Sequence, residues 1–211
     1  MGVSMDYQKK AVCTMGIVLI NVIVFLYLSF QGMTESGSFI LKHGGLYIPY
    51  MQQYGEYYRL VTSMFLHFGF AHLCNNMVIL FFTGWNLELE IGKIKFLLIY
   101  FLGGIGGNLL SAAEELWTGE YAVSAGASGA IFAVIGALLY IAIRNHGHIG
   151  NVSGKGIIFM VFCSLYAGFT STGVGNFAHI GGFVSGFLLA VILYRKKDKK
   201  HSAGSYGGFY R

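Results

Sequence analysis

The sequence predicts an all-α, polytopic membrane protein: a bundle of six transmembrane helices with an interfacial first external loop. Three observations carry this. Of 211 residues, 55% are hydrophobic and only 11% are charged, against about 25% charged in soluble domains. Six apolar windows approach the ~20 residues that a helix needs to cross a bilayer: 11–31, 70–87, 94–113, 126–143, 155–173 and 176–194. These windows are too long for barrel strands, and only helices and closed barrels satisfy the backbone in lipid.

Taken in order, residues 1–10 form a cytoplasmic N-terminal segment ahead of the six-span domain, 11–195. The first window is longer than a secretory h-region and lacks an A-x-A-like exit, so it reads as a span rather than a signal peptide. The external loop 32–69 is rich in aromatic residues (Tyr47, Tyr50, Tyr54, Tyr57, Tyr58), which places it at the membrane interface. The tail 196–211 is basic and then Gly-rich, a composition without a packed core.

Basic residues near span ends stay inside. With both termini cytoplasmic, Lys9, Lys10, Lys93, Lys95, Arg144, Lys155, Arg195, Lys196, Lys197, Lys199, Lys200 and Arg211 are inside and only Lys42 and Arg59 are outside. Glu114, Glu115 and Glu120 then fall in the external loop between spans three and four. The net charge of +5 sits at cytoplasmic span ends rather than on one amphipathic face. It therefore points to anchoring on an anionic lipid bilayer and not to nucleic acid.

Cys13, Cys74 and Cys163 are odd in number, lie in spans and lack C-x-x-C spacing, so they read as apolar filler. No metal is implied: the five-residue spacing of His67 and His72 misaligns them on a helix, and no HExxH motif is present. Nothing in the sequence asks for a cofactor. Charged groups in mid-span and internal repeats, the marks of a transporter, are also missing.

Polar side chains inside a span are costly and ask for a partner or a role. They are His72, Asn75 and Asn76 in span two, Glu88 and Glu90 near its inner end, Asn108 in span three, Ser128 in span four and His179 in span six. Ser128 lies in Gly126-Ala127-Ser128-Gly129 near the outer end of its span, where a serine taken alone is usually a packing residue. Gly182 and Gly186 share the helical face of His179. Span four carries Gly126, Gly129, Ala133 and Gly136, and small residues let helices approach closely in lipid. If these two spans touch, Ser128 and His179 meet at similar depth, and an imidazole can then take the serine proton as it attacks a carbonyl. His72 and Asn76, four residues apart on one face of span two, would join the Ser128 backbone N–H as donors to an oxyanion; alternatively they bond neighbouring helices. No carboxylate falls at comparable depth in the outer half of a span, so the residues offer a Ser–His dyad rather than a triad.

Together these residues resemble the rhomboid family of intramembrane serine proteases over about Glu56 to Arg195. The matching pieces are Tyr58-Arg59-Leu60, Phe65-Leu66-His67, His72 through Met77, Glu88 with Gly92, Gly126-Ala127-Ser128-Gly129, and Ala178-His179 with Gly182 and Gly186. The resemblance implies Ser128 as nucleophile, His179 as general base and later acid, and His72, Asn76 and the Ser128 amide as oxyanion donors. Supporting positions are Gly126, Gly129, Phe132, Gly182, Gly186, Arg59 and Glu88. It further implies transmembrane protein substrates cut after small residues, admitted by movement of span five and of the loop near Gly173 to Asn176. The location implied is the cell membrane, multi-pass, with the site opening outward. Two positions depart from the pattern: Tyr58 stands where the family often has Trp, and Phe132 where some relatives have Tyr. A catalytically silent escort factor is the alternative within the family, and it would lack Ser128 or His179.

Overall fold

The computed structural model describes residues 10–149, 152–159 and 175–195. Its architecture follows from long apolar stretches free of proline; the chain's one proline sits in the first turn of a short loop helix. The long helices among the described residues are α1 (Val12–Ser29), α5 (Gly69–Ile91), α6 (Lys93–Thr118), α7 (Ser128–Arg144) and α8 (Asn176–Leu193). Between α1 and α5 the long connecting loop folds into α2 (Gly37–Lys42), α3 (Ile48–Tyr54), α4 (Arg59–Thr62) and a 3-10 turn, Ser63–Phe65. A two-residue antiparallel hairpin, β1 (His148–Ile149) and β2 (Val152–Ser153), follows α7.

The chain is a mostly helical, polytopic membrane protein. Helices α1, α6 and α8 are each long and apolar enough to cross a bilayer, and α4 with its 3-10 turn passes the same test jointly with α5, bent by 94° at the break. Helix α7 has only 17 residues, but it runs through the centre of the bundle and is buried without a break from Gly129 to Leu138. The outward faces of α1, α5 and α8 expose Leu19, Ile23, Val78, Phe82, Leu188 and Ile192, the side chains that a hydrocarbon environment accepts. Of the window 155–173, residues 155–159 are helical, and 160–173 lie outside the described residues. So do residues 1–9, Cys163 and the tail 196–211.

One sequence expectation is corrected. Glu114 and Glu115 lie in the last turns of α6, not in a loop, because the helix continues to Thr118 and ends at Gly119. There a φ of 75° gives the left-handed C-terminal cap that glycine adopts without a Cβ penalty.

Helices α7 and α8 touch along the stripe of small residues. A Cβ on Gly182 would strike the Gly129 carbonyl, one on Gly186 the Ala133 carbonyl, and one on Gly136 the Phe183 carbonyl. Helix α6 closes the third side, with Gly107 against the Ala178 carbonyl and Gly182. Larger side chains at these points would push the helix axes apart and separate what they carry.

Candidate active site

Ser128 is the first residue of α7. Its N-cap residue is Ala127, which offers no side-chain cap, so the first N–H groups of the helix lack intrahelical acceptors and point outward at its positive end. His179 is buried in the first turn of α8. The close approach of the two helices brings His179 Nε2 to 2.9 Å from Ser128 Oγ. Phe132, one turn below Ser128, lies flat against the imidazole, with ring centroids 4.4 Å apart and planes 10° from parallel.

His179 Nδ1 is buried and has no hydrogen-bond partner among the described residues, so no third side chain bonds the ring directly from that side. Glu115, although buried on α6, stands eight residues beyond Gly107, the position level with Ala178 and Gly182. That is roughly 12 Å along the helix axis.

The N-terminal end of α5 supplies the facing wall. The Phe68 N–H donates to His72 Nδ1 at 3.4 Å, which leaves the proton of a neutral imidazole on Nε2 as a donor. Asn76 Nδ2 donates one hydrogen to the His72 carbonyl at 3.0 Å and keeps a second. Gly126 lies between this wall and the serine. A Cβ there would sit 3.0 Å from His72 Nε2 and 3.6 Å from Ser128 Oγ, so the space that it leaves open is bordered by both groups. The φ of Gly126, 140°, is also one that other residues rarely adopt.

The loop between α1 and α5 holds this corner in place. Arg59 is almost fully buried and fully engaged: it pairs with Glu56 at 2.6 Å and donates to the carbonyls of Leu41 at 2.8 Å and Gly45 at 2.7 Å. Tyr50 and Tyr58 flank its guanidinium, so the Tyr58 substitution keeps an aromatic contact. The next residue, Leu46, exchanges backbone hydrogen bonds with Ser124 at 2.8 and 2.9 Å, and the Gly126 N–H donates to the Ser63 carbonyl at 2.9 Å. The loop and the turn that leads into Ser128 are thus one backbone network.

Ser128, His179, His72, Gly126 and Phe132 are therefore brought together, on a seam to which Gly129, Gly182 and, further along, Gly186 contribute, with Arg59 behind the Ser128 turn; Asn76 is placed only by its bond to the His72 carbonyl. Glu88 is not part of this cluster. It lies sixteen residues beyond His72 on α5, about 24 Å away, and caps the inner end of α1. Sequence reasoning assigned no role to Ser63, Ser124 or Asn108, which line a cavity against Ser128, nor to His67 as the buried edge-on neighbour of His72 at 5.2 Å. Asn108 alone carried a signal, as an unexplained amide inside a span.

Residues 54–196, more than half of the chain, match the Rhomboid domain family. The chain belongs to the rhomboid family. It is 34% identical over 190 residues to the rhomboid protease GluP of Bacillus subtilis (strain 168), an overlap of 90% of this chain and 35% of that protein. With the putative rhomboid protease YdcA of the same organism it shares 35% over 147 residues, covering 70% and 72% of the two chains. RHOMBOID-like protein 1 of Arabidopsis thaliana is 36% identical over 172 residues, 78% of this chain and 43% of that one. This rhomboid chain thus spans about a third of the length of GluP. The matched region contains the whole cluster around Ser128.

Proposed function

We propose that the chain is a serine endopeptidase that hydrolyses peptide bonds in or next to transmembrane segments of membrane proteins, with Ser128 and His179 as its dyad. The observation that carries this is the 2.9 Å contact between Ser128 Oγ and His179 Nε2, made between two helices of a rhomboid-family membrane protein. With its proton on Nδ1, His179 accepts the Ser128 hydroxyl hydrogen at Nε2, as general-base catalysis requires.

Oγ attacks the substrate carbonyl carbon while its proton passes to Nε2. The negative charge on the carbonyl oxygen is met by the Ser128 N–H, His72 Nε2–H and the free hydrogen of Asn76 Nδ2. The C–N bond then breaks, and His179 returns the proton to the departing amine. Water attacks the resulting ester, gives a proton to His179, and the carboxylic acid leaves as Oγ recovers its hydrogen. A substrate helix must unwind locally first, because a carbonyl already bonded within a helix is poorly presented to Oγ.

The positions of the charges support a six-span arrangement in the cell membrane with both termini cytoplasmic. Lys10, Lys93, Lys95, Arg144 and Arg195 cluster at one set of helix ends, opposite the set that carries Ser128 and His179, so the site opens to the external side. The test is cleavage of a labelled single-span protein by purified chain in detergent. Ser128→Ala and His179→Ala should each abolish it. Equal cleavage by all three proteins would refute the proposal.

A further inference from the structure

Two buried polar atoms at the start of α8 are complementary and unpaired. Neither His179 Nδ1 nor Asn176 Oδ1, three residues earlier in the chain, has a hydrogen-bond partner among the described residues. Buried polar groups are nearly always bonded, so each orphan asks for an explanation. In the tautomer that catalysis needs, the lone pair of Nε2 faces the Ser128 hydroxyl at 2.9 Å, and the imidazole proton sits on Nδ1 in want of an acceptor. Asn176 Oδ1 is an acceptor in want of a donor.

Asn176 does not serve the usual purpose of asparagine at a helix start. It is the first residue of α8, one position past the N-cap Gly175, and no side chain caps this helix. Helical geometry instead places it beside the histidine. Three residues rise by about 4.5 Å, and side chains so spaced share a face with Cβ atoms about 5–6 Å apart. The turn between them is closed, since the His179 N–H donates to the Gly175 carbonyl at 3.3 Å. Helical side chains lean toward the N-terminus, so the imidazole tilts back over the turn that Asn176 begins. Phe132 covers one ring face and Ser128 takes Nε2, which leaves Nδ1 as the polar edge still to be held. One water making two bonds of about 2.8 Å spans such a gap, and buried waters commonly serve two to four polar groups.

We infer that Asn176 is a positioning residue for His179. A single buried water accepts the Nδ1 hydrogen and donates to Asn176 Oδ1, which keeps the proton on Nδ1 and the lone pair of Nε2 aimed at Ser128. When His179 takes the serine proton it becomes positively charged, and the bond from Nδ1 strengthens because its donor is then ionised. The effect therefore falls on the chemical step rather than on substrate binding. For that consequence the inference rests on the protease proposal, whereas the hydrogen bond itself can be read without any cleavage.

Asn176→Leu keeps the volume and removes the acceptor, while Asn176→Asp keeps an acceptor and suits a helix N-terminus. With the full chain in detergent and a labelled single-span substrate, Asn176→Leu should lower kcat about tenfold, the smaller end of the effect of a bond to a charged group. Its KM should stay within about twofold of wild type, its unfolding midpoint should not move, and Asn176→Asp should retain kcat within about threefold. Nuclear magnetic resonance of nitrogen-15-labelled histidine supplies the second readout. Wild type should show a slowly exchanging Nδ1 hydrogen, assigned to His179 by its loss in His179→Ala, and Asn176→Leu should lose it. Wild-type kcat in Asn176→Leu, Asn176→Asp as slow as Asn176→Leu, or a signal missing from wild type or kept in Asn176→Leu would each overturn the inference alone. Absence of Ser128-dependent cleavage by wild type would overturn the protease proposal and, with it, the role given to this bond.

Discussion

The two ends of the bundle use polar residues in opposite ways. At the end that carries Lys93 and Arg144 they are paired with one another. Glu88 accepts from the Cys13 N–H at 2.9 Å, the Thr14 N–H at 2.7 Å and the Thr14 hydroxyl at 2.8 Å, which caps α1 from α5. The Tyr194 hydroxyl lies 3.2 Å from Glu90 Oε1 and 3.0 Å from Asn145 Oδ1 and joins the inner ends of α5, α7 and α8. At the end that carries Ser128, by contrast, the buried His179 Nδ1 has no partner among the described residues, and the first N–H groups of α7 have no side-chain cap. The polar groups at the first end tie helices together; at the other, Arg59 and Asn108 do the same, but the groups immediately around Ser128 keep bonding capacity in reserve.

If that division holds, substitutions should separate activity from stability by position. The largest effect belongs to Ser128→Ala and His179→Ala. Each should lower cleavage of a transmembrane substrate by at least about a thousandfold while leaving the unfolding midpoint in detergent unchanged; a large drop in that midpoint would break the division. Gly126→Ala should cost on the order of a hundredfold in kcat, the usual loss of an oxyanion donor, because the new Cβ crowds His72 Nε2.

Glu88→Ala should do the reverse. It strands two backbone N–H groups and one hydroxyl, destabilising the fold by about 2 kcal/mol, read by denaturant or thermal unfolding, with kcat close to wild type below the unfolding range. A catalytic loss exceeding the stability loss would assign the inner end a second role. Tyr194→Phe is expected to be the mildest, about 0.5–1 kcal/mol of stability and no change in cleavage.

The Ser128–His179 contact and its glycine seam were legible in the sequence because a serine and an imidazole are conspicuous in apolar spans, and glycines at 129, 136, 182 and 186 mark where backbones can meet. The end of α6 was not legible from hydrophobicity, which reports the edge of the hydrocarbon rather than the end of the helix. Glu114 and Glu115 continue the helix into the interface, and Gly119 was the better signal. The cavity was hidden for another reason. Ser63 lies in a 3-10 turn of the loop between α1 and α5 and reaches Asn108 across 45 positions of sequence, and the Leu46 to Ser124 pairing just ahead of the Ser128 turn follows no local period. Such contacts depend on tertiary placement of a loop, which neither propensity nor hydropathy encodes.

Labelling with a fluorophosphonate, read by peptide mass spectrometry, interrogates the activated alcohol itself. The adduct should form on Ser128 in the wild-type chain and disappear in His179→Ala. An adduct on a different serine, or labelling of Ser128 undiminished without the imidazole, would contradict the dyad.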